Sequence, residues 1–318
     1  MKEKMKKEEK QKNLIKIIVV ATIGIILTFL GVSNDQIKNI LADPNIADIQ
    51  SNIINNANSE KSDYDGFTIE TGNSVIKKID NITGSKVYYF DVGQADSILV
   101  VNDGKTMLID AGNNDDGEML VNYIKTLGIS KIDVLVGTHP HEDHIGGLDD
   151  IIKSFEIGKI YMPKVQTNTK TFEDVLDAIS QKNLKITTPK IGDKFKVGAA
   201  DLEIMSVGDD KTNLNSTSIV IRMVYNNISY LFTGDMETVN ESARKWPQTD
   251  ILKVAHHGSR TSSSENFLEQ IMPKIAVIQV GVDNSYGHPH DIILKRLQKL
   301  NIPIYRNDQK QTILITQN

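Results

Sequence analysis

The chain has 318 residues, with 36 Lys and Arg against 41 Asp and Glu, seven His and no Cys. Its 39% hydrophobic and 24% charged residues make a globular composition and exclude wholesale disorder; the formal charge of −5 excludes a polyanionic partner held by a global basic field. Without cysteine there is no disulfide framework, no thiolate metal site and no lipid-modified cysteine.

The first sixteen residues hold seven Lys against three Glu, and residues 17–32 form an almost unbroken apolar run. The stretch from Leu14 to Ser33 has the length of a membrane-spanning helix, and the Lys excess before it predicts a cytoplasmic amino end with the rest of the chain outside. A signal anchor over residues 1–33 is therefore expected, with a cleaved secretory signal as the rival, since Gly31-Val32-Ser33 offers small residues after the run. The remainder is acidic, 38 acidic against 29 basic residues, so a polyanionic substrate needs local basic groups. Residues 34–84 are rich in Asn, Asp, Ser, Ile and Lys without periodicity; they read as a spacer with one short helix, Asp35 to Leu41, and the catalytic domain is expected over 85–318.

Strands are expected at Ser85 to Phe90 and Ser97 to Val101, around the stretch Asp91-Val92-Gly93-Gln94-Ala95-Asp96. Asn102-Asp103-Gly104 is a hairpin turn into Thr106 to Ile109, which delivers Asp110 at its tip. An acid there can hydrogen-bond a ligating imidazole from behind, or simply form a turn before glycine. Asp115 to Leu127 has helical spacing. Val134 to Val136 is a buried strand and Leu148 to Ile152 begins a helix, and between them stands Thr138-His139-Pro140-His141-Glu142-Asp143-His144-Ile145-Gly146-Gly147. Three of the seven histidines and two carboxylates lie in six positions at the carboxyl end of a strand, where open α/β sheets place their chemistry. Imidazole and carboxylate without sulfur suit zinc, manganese or iron.

Further on, a strand at Lys159 to Pro163, a helix from Thr171 to Asn183 and a hairpin-like pair between Asp193 and Val207 are expected, then strands at Ile219 to Tyr225 and Ile228 to Phe232. The last of these ends in Thr233-Gly234-Asp235, which places a carboxylate well for bridging two ions, and a helix from Met236 to Lys245 follows. A strand over Asp250 to Ala255 delivers His256-His257-Gly258-Ser259-Arg260. Strand alternation sends the two imidazoles apart, so one is expected to ligate, His256, while His257 meets the substrate or donates a proton. A serine-capped helix starts near Thr261 to Glu265, a strand runs from Ile275 to Val280, and Tyr286-Gly287-His288-Pro289-His290 leads into a helix, Ile292 to Leu300. His288 is a candidate acid or phosphate-binding group, and Ile313 to Ile315 closes the domain as a strand.

His139-x-His141-x-Asp143-His144 resembles the signature of the metallo-β-lactamase superfamily. That resemblance implies an αββα sandwich with a one- or two-metal site along one sheet edge. Four motifs in order are similar to the extracytoplasmic hydrolase domains of ComEC-type DNA-uptake proteins and their stand-alone relatives. They are Asp91 to Asp96, the histidine loop, Asp250 to Ser259, and Tyr286 to Pro289, within a likeness running from about Lys86 to Thr316. The chain departs from the group in having Ala95 where glycine is usual and a single apolar span that cannot build a multi-helix channel. Many superfamily members also carry a histidine between the ligand loop and the bridging aspartate. Here none occurs between His144 and His256, and Asn213-x-Asn215-Ser216 resembles what the group has instead.

The expectation is a membrane-anchored, extracytoplasmic, bacterial metal-dependent hydrolase. His139, His141, Asp143, His144, Asp235 and His256 would hold one or two divalent ions, Zn2+ or Mn2+. Asp143, His257 and His288 would serve catalysis, Asn215, Ser216, Ser259 and Arg260 the substrate, with Asp96 and Asp110 behind the ligands. A phosphoester is the favoured substrate, in nucleic acid, nucleotide or wall polymer, because two adjacent ions can clamp attacking and leaving oxygens. A non-catalytic metal-containing binding module for wall polymer or DNA, and a lactam or lactone hydrolase, are the alternatives.

Overall fold

Among the described residues, apolar runs separated by turn residues fold into sixteen strands in two sheets. The first half of the chain gives β1 (Lys61–Tyr64), β2 (Phe67–Thr71), β3 (Ser85–Tyr89), β4 (Ile98–Asn102), β5 (Lys105–Ile109), β6 (Lys131–Val136), β7 (Glu156–Tyr161) and β8 (Ile186–Thr187). The second gives β9 (Lys194–Val197), β10 (Ala200–Ser206), β11 (Val220–Tyr225), β12 (Ile228–Phe232), β13 (Ile251–Lys253), β14 (Ile275–Ile278), β15 (Ile304–Arg306) and β16 (Ile313–Gln317). This computed structural model describes residues 59–208, 210 and 212–317, and the fold is that of the unit formed by 61–71 and 75–317. The expected anchor and the helix Asp35 to Leu41 lie outside the described residues. Among those described, no helix is long and apolar enough to cross a membrane.

The nine-stranded sheet has the order β1-β2-β16-β3-β4-β5-β6-β7-β8, and the seven-stranded sheet β15-β14-β13-β12-β11-β10-β9. Each mixes antiparallel hairpins with a parallel half. Asp103 and Gly104 both have positive φ, which a two-residue turn between β4 and β5 requires. Parallel pairing from β5 to β8 is bridged by helices α1 (Gly117–Thr126), α2 (Glu142–Ile145), α3 (Leu148–Ser154) and α4 (Lys170–Gln181). From β12 to β15 the parallel strands are bridged by α5 (Thr238–Ser242), α6 (Glu265–Ile271) and α7 (Asp291–Lys299). A last turn, α8 (Asn307–Lys310), carries the chain back so that β16 inserts between β2 and β3.

Three apolar layers hold this together. Inner faces of the two sheets meet through Tyr89, Val100, Met107 and Val136 on one side and Ile204, Ile221, Tyr230 and Val277 on the other. The opposite face of the nine-stranded sheet packs Tyr88, Leu99, Leu108 and Leu135 against Leu120 and Ile124 of α1, Ile151 of α3 and Phe172 of α4. Leu231, Leu252 and Ile278 on the outer face of the seven-stranded sheet meet Phe267 and Leu268 of α6 and Ile293 and Leu297 of α7. Helices on both outsides and two sheets within give the expected αββα order.

The expected spacer needs one correction. Residues 61–71, placed within it, form β1 and β2, and β2 pairs with β16 along Thr71↔Ile313 to Thr68↔Thr316. Phe67 and Ile69 are buried between the sheets. A four- to five-residue strand in polar surroundings has no periodic signal of its own, and its partner lies at the far end of the chain.

Candidate metal centre

Every loop that carries a predicted ligand leaves the carboxyl end of a strand on the same edge of the sandwich. Asp96 lies between β3 and β4, Asp110 follows β5, and His139 to His144 follow β6. Asp235 follows β12, His256 and His257 follow β13, and His288 lies beyond β14. Backbone bonds lace the first three loops together. The Asp96 amide donates to the Asp143 carbonyl (3.0 Å), the Ala111 amide to His144 (2.7 Å), and the Gly112 amide to Asp96 (2.9 Å). The amides of Gly146 and Gly147 return to the carbonyls of Gly112 and Ala111 at 2.9 and 3.1 Å. A Cβ on Gly146 would lie 2.2 Å from the Asn113 carbonyl carbon, so the pair of glycines permits this approach.

Four side chains from both sheets converge: Asp143, His144, Asp235 and His257 each present a ligand atom, all within 4.8 Å of one another. His144 Nε2 stands 3.2 Å from Asp235 Oδ1, and His257 Nε2 stands 3.3 Å from Asp143 Oδ2. Both imidazoles are held from behind. His144 Nδ1 meets Asp110 Oδ2 at 2.9 Å, and His257 Nδ1 meets the Gln279 carbonyl at 2.9 Å. Since both acceptors take the Nδ1 proton, Nε2 is the nitrogen of each ring that is left to coordinate. His144 Nε2, His257 Nε2 and Asp235 Oδ1 are buried and have no hydrogen-bond partner. Buried polar atoms are nearly always paired, so three unpaired ligand atoms meeting at one point fit a divalent cation with imidazole and carboxylate donors.

The other oxygen of Asp235 faces a second, looser set. Oδ2 lies 3.6 Å from His256 Nε2 and 3.9 Å from His139 Nε2, while His139 Nε2 lies 3.0 Å from His141 Nδ1. A carboxylate with histidines before each of its oxygens has the arrangement of a bridging ligand, as its position at the end of β12 implied.

The sequence reading selected His256 over His257 for the site, and the tight cluster takes His257 instead. The reason is local backbone. β13 ends at Lys253, and His256 and His257 both adopt left-handed conformation, φ 51° with ψ 48° and 21°. Alternation does not operate in such a turn, and both rings reach the centre from opposite sides of Asp235. Non-glycine residues in that region are costly and cluster at functional sites; Asp110, with φ 58°, is another here.

The remaining predicted residues divide. Asp110 accepts from the Thr138 amide (2.8 Å) and hydroxyl (2.7 Å) as well as facing His144. Asp96 lies behind the centre, its Oδ1 3.4 Å from His257 Nδ1. His288 is at the mouth, half-buried, its ring centre 5.5 Å from that of His256 and 6.3 Å from that of His257. Asn215 brings Nδ2 to 3.4 Å from both ring nitrogens of His256, and its Oδ1 is buried without a partner. Of the serines expected to meet substrate, the Ser216 hydroxyl donates to the Asn213 carbonyl (2.7 Å) and the Ser259 hydroxyl is buried against Thr261 Oγ1 (3.1 Å). Arg260 is exposed, and its amide donates to His290 Nδ1 (3.1 Å). Glu237, Lys253, Gln94 and Gln279 escaped the sequence reading. Glu237 Oε1 lies 3.0 Å from both His256 Nδ1 and Thr261 Oγ1, and its place two residues after Asp235 was the available signal.

Charge follows this geometry. Burial would depress His144, but Asp235, Asp143 and Asp110 override it and hold the imidazole well above its usual range. His257 is likewise raised against burial, by Asp235 and Asp96. Burial would lift Asp143 and Asp235, yet His144 and His257 hold both carboxyls below the ordinary range. On the looser side His139 and His141 are lowered, by burial first. Burial also pushes Asp110 up, and burial with the neighbouring imidazoles brings His288 down to about 4.

Comparison with known proteins agrees with this architecture. The chain is 32% identical over 251 residues to ComE operon protein 3 of Bacillus subtilis, covering 72% of this chain and 32% of that protein. It is 30% identical over 217 residues to Recombination protein 2 of Haemophilus influenzae, covering 66% of this chain and 26% of that one. It thus spans about a third or less of these relatives' length. The metallo-beta-lactamase fold protein YhfI from Bacillus subtilis superposes with a TM-score of 0.49 at 10% identity, over 72% of this chain and 98% of that one. The profile of the metallo-beta-lactamase superfamily matches residues 90–282, the stretch that holds Asp96, Asp110, the histidine loop, Asp235 and the histidine pair, and the chain belongs to that superfamily.

Proposed function

We propose that this chain hydrolyses phosphoesters with one or two divalent ions, Zn2+ or Mn2+, held between the two sheets. The observation that carries the reading is the meeting of buried, unpaired His144 Nε2, His257 Nε2 and Asp235 Oδ1 beside Asp143. When bound, such an ion supplies a water deprotonated near neutral pH and charge neutralisation at the phosphoryl oxygens.

The chain's own groups do the rest. Asp110 and the Gln279 carbonyl hold the two buried rings in one tautomer. His288 is neutral near pH 7, and its Nδ1 lies 3.5 Å from Gln94 Nε2. With the amide donating to Nδ1, the Nε2 proton is left to hydrogen-bond a substrate oxygen or to follow the leaving group. Arg260, exposed beside this mouth, suits a phosphate rather than a neutral lactam. A relative named for recombination favours nucleic acid over nucleotide or wall polymer. The Lys-rich amino end followed by an apolar run supports a single membrane anchor with the hydrolase outside the cell.

The test is turnover of bis-p-nitrophenyl phosphate and single-stranded DNA by chelator-treated full-length protein resupplied with Mn2+ or Zn2+. Metal-dependent cleavage, lost in the double variant His141→Ala with Asp143→Ala, is expected. Equal turnover with and without metal, or in that variant, overturns the reading.

A further inference from the structure

Lys253 is fully buried (0% exposed) at the end of β13, beneath the metal centre. Its Nζ forms an ion pair with Asp96 Oδ2 and donates to the Gly234 carbonyl at 3.3 Å. It therefore ties the loop after β3, in one sheet, to the residue before Asp235, in the other. Taking an ammonium and a carboxylate out of water costs several kcal/mol per ion, and a buried pair of this kind is weak as a device for stability alone.

Its partner has a second relation. Asp96, Asp110 and His144 offer ligand atoms within 4.8 Å of one another, all three residues buried. Asp96 Oδ1 is buried and makes no hydrogen bond, with His257 Nδ1 3.4 Å away, and Oδ2 lies 3.8 Å from His144 Nδ1. Two buried carboxylates with an orphan oxygen, directly behind the imidazoles of the tight cluster, are themselves an attractive place for a divalent ion. An ion there would compete with Asp110 for His144 Nδ1 and loosen the hold on the ring that presents Nε2 to Asp143 and Asp235.

We propose that Lys253 is a built-in cation that occupies the charge of this rear carboxylate pair, so that divalent ions are confined to the front of His144. It is a positioning residue: it acts through Asp96 and the ring orientation behind the ligands. This rests on the metal-binding reading above.

The experiment counts bound metal on the full chain, by inductively coupled plasma mass spectrometry after equilibration with Mn2+ and removal of free ion. Lys253→Met is expected to bind about one more ion per chain than the unmodified protein, Lys253→Arg the same number, and the Lys253→Met, Asp96→Asn double variant the same number again. A folded Lys253→Met with an unchanged count overturns the proposal. Asp96→Asn carries a second, independent arm should Lys253→Met not fold. In it the Lys253 ammonium loses its carboxylate and repels ions at the front, so Mn2+ affinity falls about tenfold or more and recovers in the double variant. Unchanged affinity in Asp96→Asn overturns the proposal as well. An unmodified protein that binds no Mn2+ or Zn2+ at all overturns the metal-binding reading instead, a different result from either.

Discussion

On the Oδ1 side of Asp235 the facing nitrogens belong to His144 and His257, rings 0–1% exposed and tied at Nδ1 to Asp110 and the Gln279 carbonyl. On the Oδ2 side stand His139, His141 and His256. His139 Nδ1 has only the longer contacts with Thr138 Oγ1 (3.2 Å) and Ser218 Oγ (3.4 Å), His141 is half-buried, and the His256 side chain is 21% exposed. The same carboxylate thus serves a sealed, rigid half and a more open half, in which Glu237 Oε1 braces His256 Nδ1 at 3.0 Å while His141 and His256 reach the surface. On the reading proposed above, a first ion is expected on the rigid side and a second, weaker one on the other.

The largest effect that can break this comparison is Asp235→Asn, which removes the shared ligand. Loss of both bound ions and of activity by on the order of 10³-fold is expected, read by metal analysis and turnover. His257→Ala and His256→Ala separate the halves: the first should abolish tight binding, the second only the weaker ion. Equal losses of the tight ion in both variants would show that the two sides are one site.

Next in size is the support behind the rigid half. Asp110→Asn leaves the Thr138 amide an acceptor but replaces the oxygen that faces His144 Nδ1, and metal affinity should fall roughly 10- to 100-fold. Calorimetric titration with Mn2+ measures it, and an unchanged affinity would remove Asp110 from the centre.

Proton release distinguishes the two sides further. His144 and His257 are raised above the ordinary histidine value by surrounding carboxylates, which favours protons that an incoming ion must displace. His139 and His141 are lowered, by burial first, and hold theirs less tightly. Affinity on the His144 side should therefore rise more steeply with pH than affinity on the His139 side. Titrations in buffers of different ionisation enthalpy count the protons, and equal release for both ions contradicts the assignment.

The smallest effect is remote and serves as the control. Asp250, at the base of β13, accepts from the Ser229 amide and hydroxyl, both at 2.7 Å, and pairs with Lys274. Burial would raise its carboxyl, but these partners hold it below the usual value. A depressed carboxylate contributes stability that is present above its unfolded pKa, about 3.9, and is lost as pH falls through the lower folded value. Asp250→Asn should flatten the acid side of the unfolding midpoint against pH without altering metal count. A changed metal count would mean that strand β13 transmits strain to the histidine pair.

Much of this centre was legible before any fold was known because its densest part is local. The six positions 139–144 carry four candidate ligands, directly after an apolar strand and before a pair of glycines. Helices α1, α4 and α7 appeared within one or two residues of their periodic patterns, since their apolar stripes meet a sheet. The short strands β1, β2, β8 and β15 did not, because a strand of two to five residues is defined by its neighbour rather than by its own composition.

By itself the chain's order of residues determined the metal-ligand signature of imidazole and carboxylate and the place of Asp235 at a strand tip. Only the tertiary structure decided which histidine of the pair joins His144, that Lys253 lies sealed beneath the centre, and that Gln279 and Glu237 support the rings. Ligand identity near a metal is written in local residue types, whereas orientation depends on backbone conformation and on partners brought from the other sheet. Two adjacent histidines in left-handed conformation carry no distinguishing mark until the opposite sheet supplies the atoms they face.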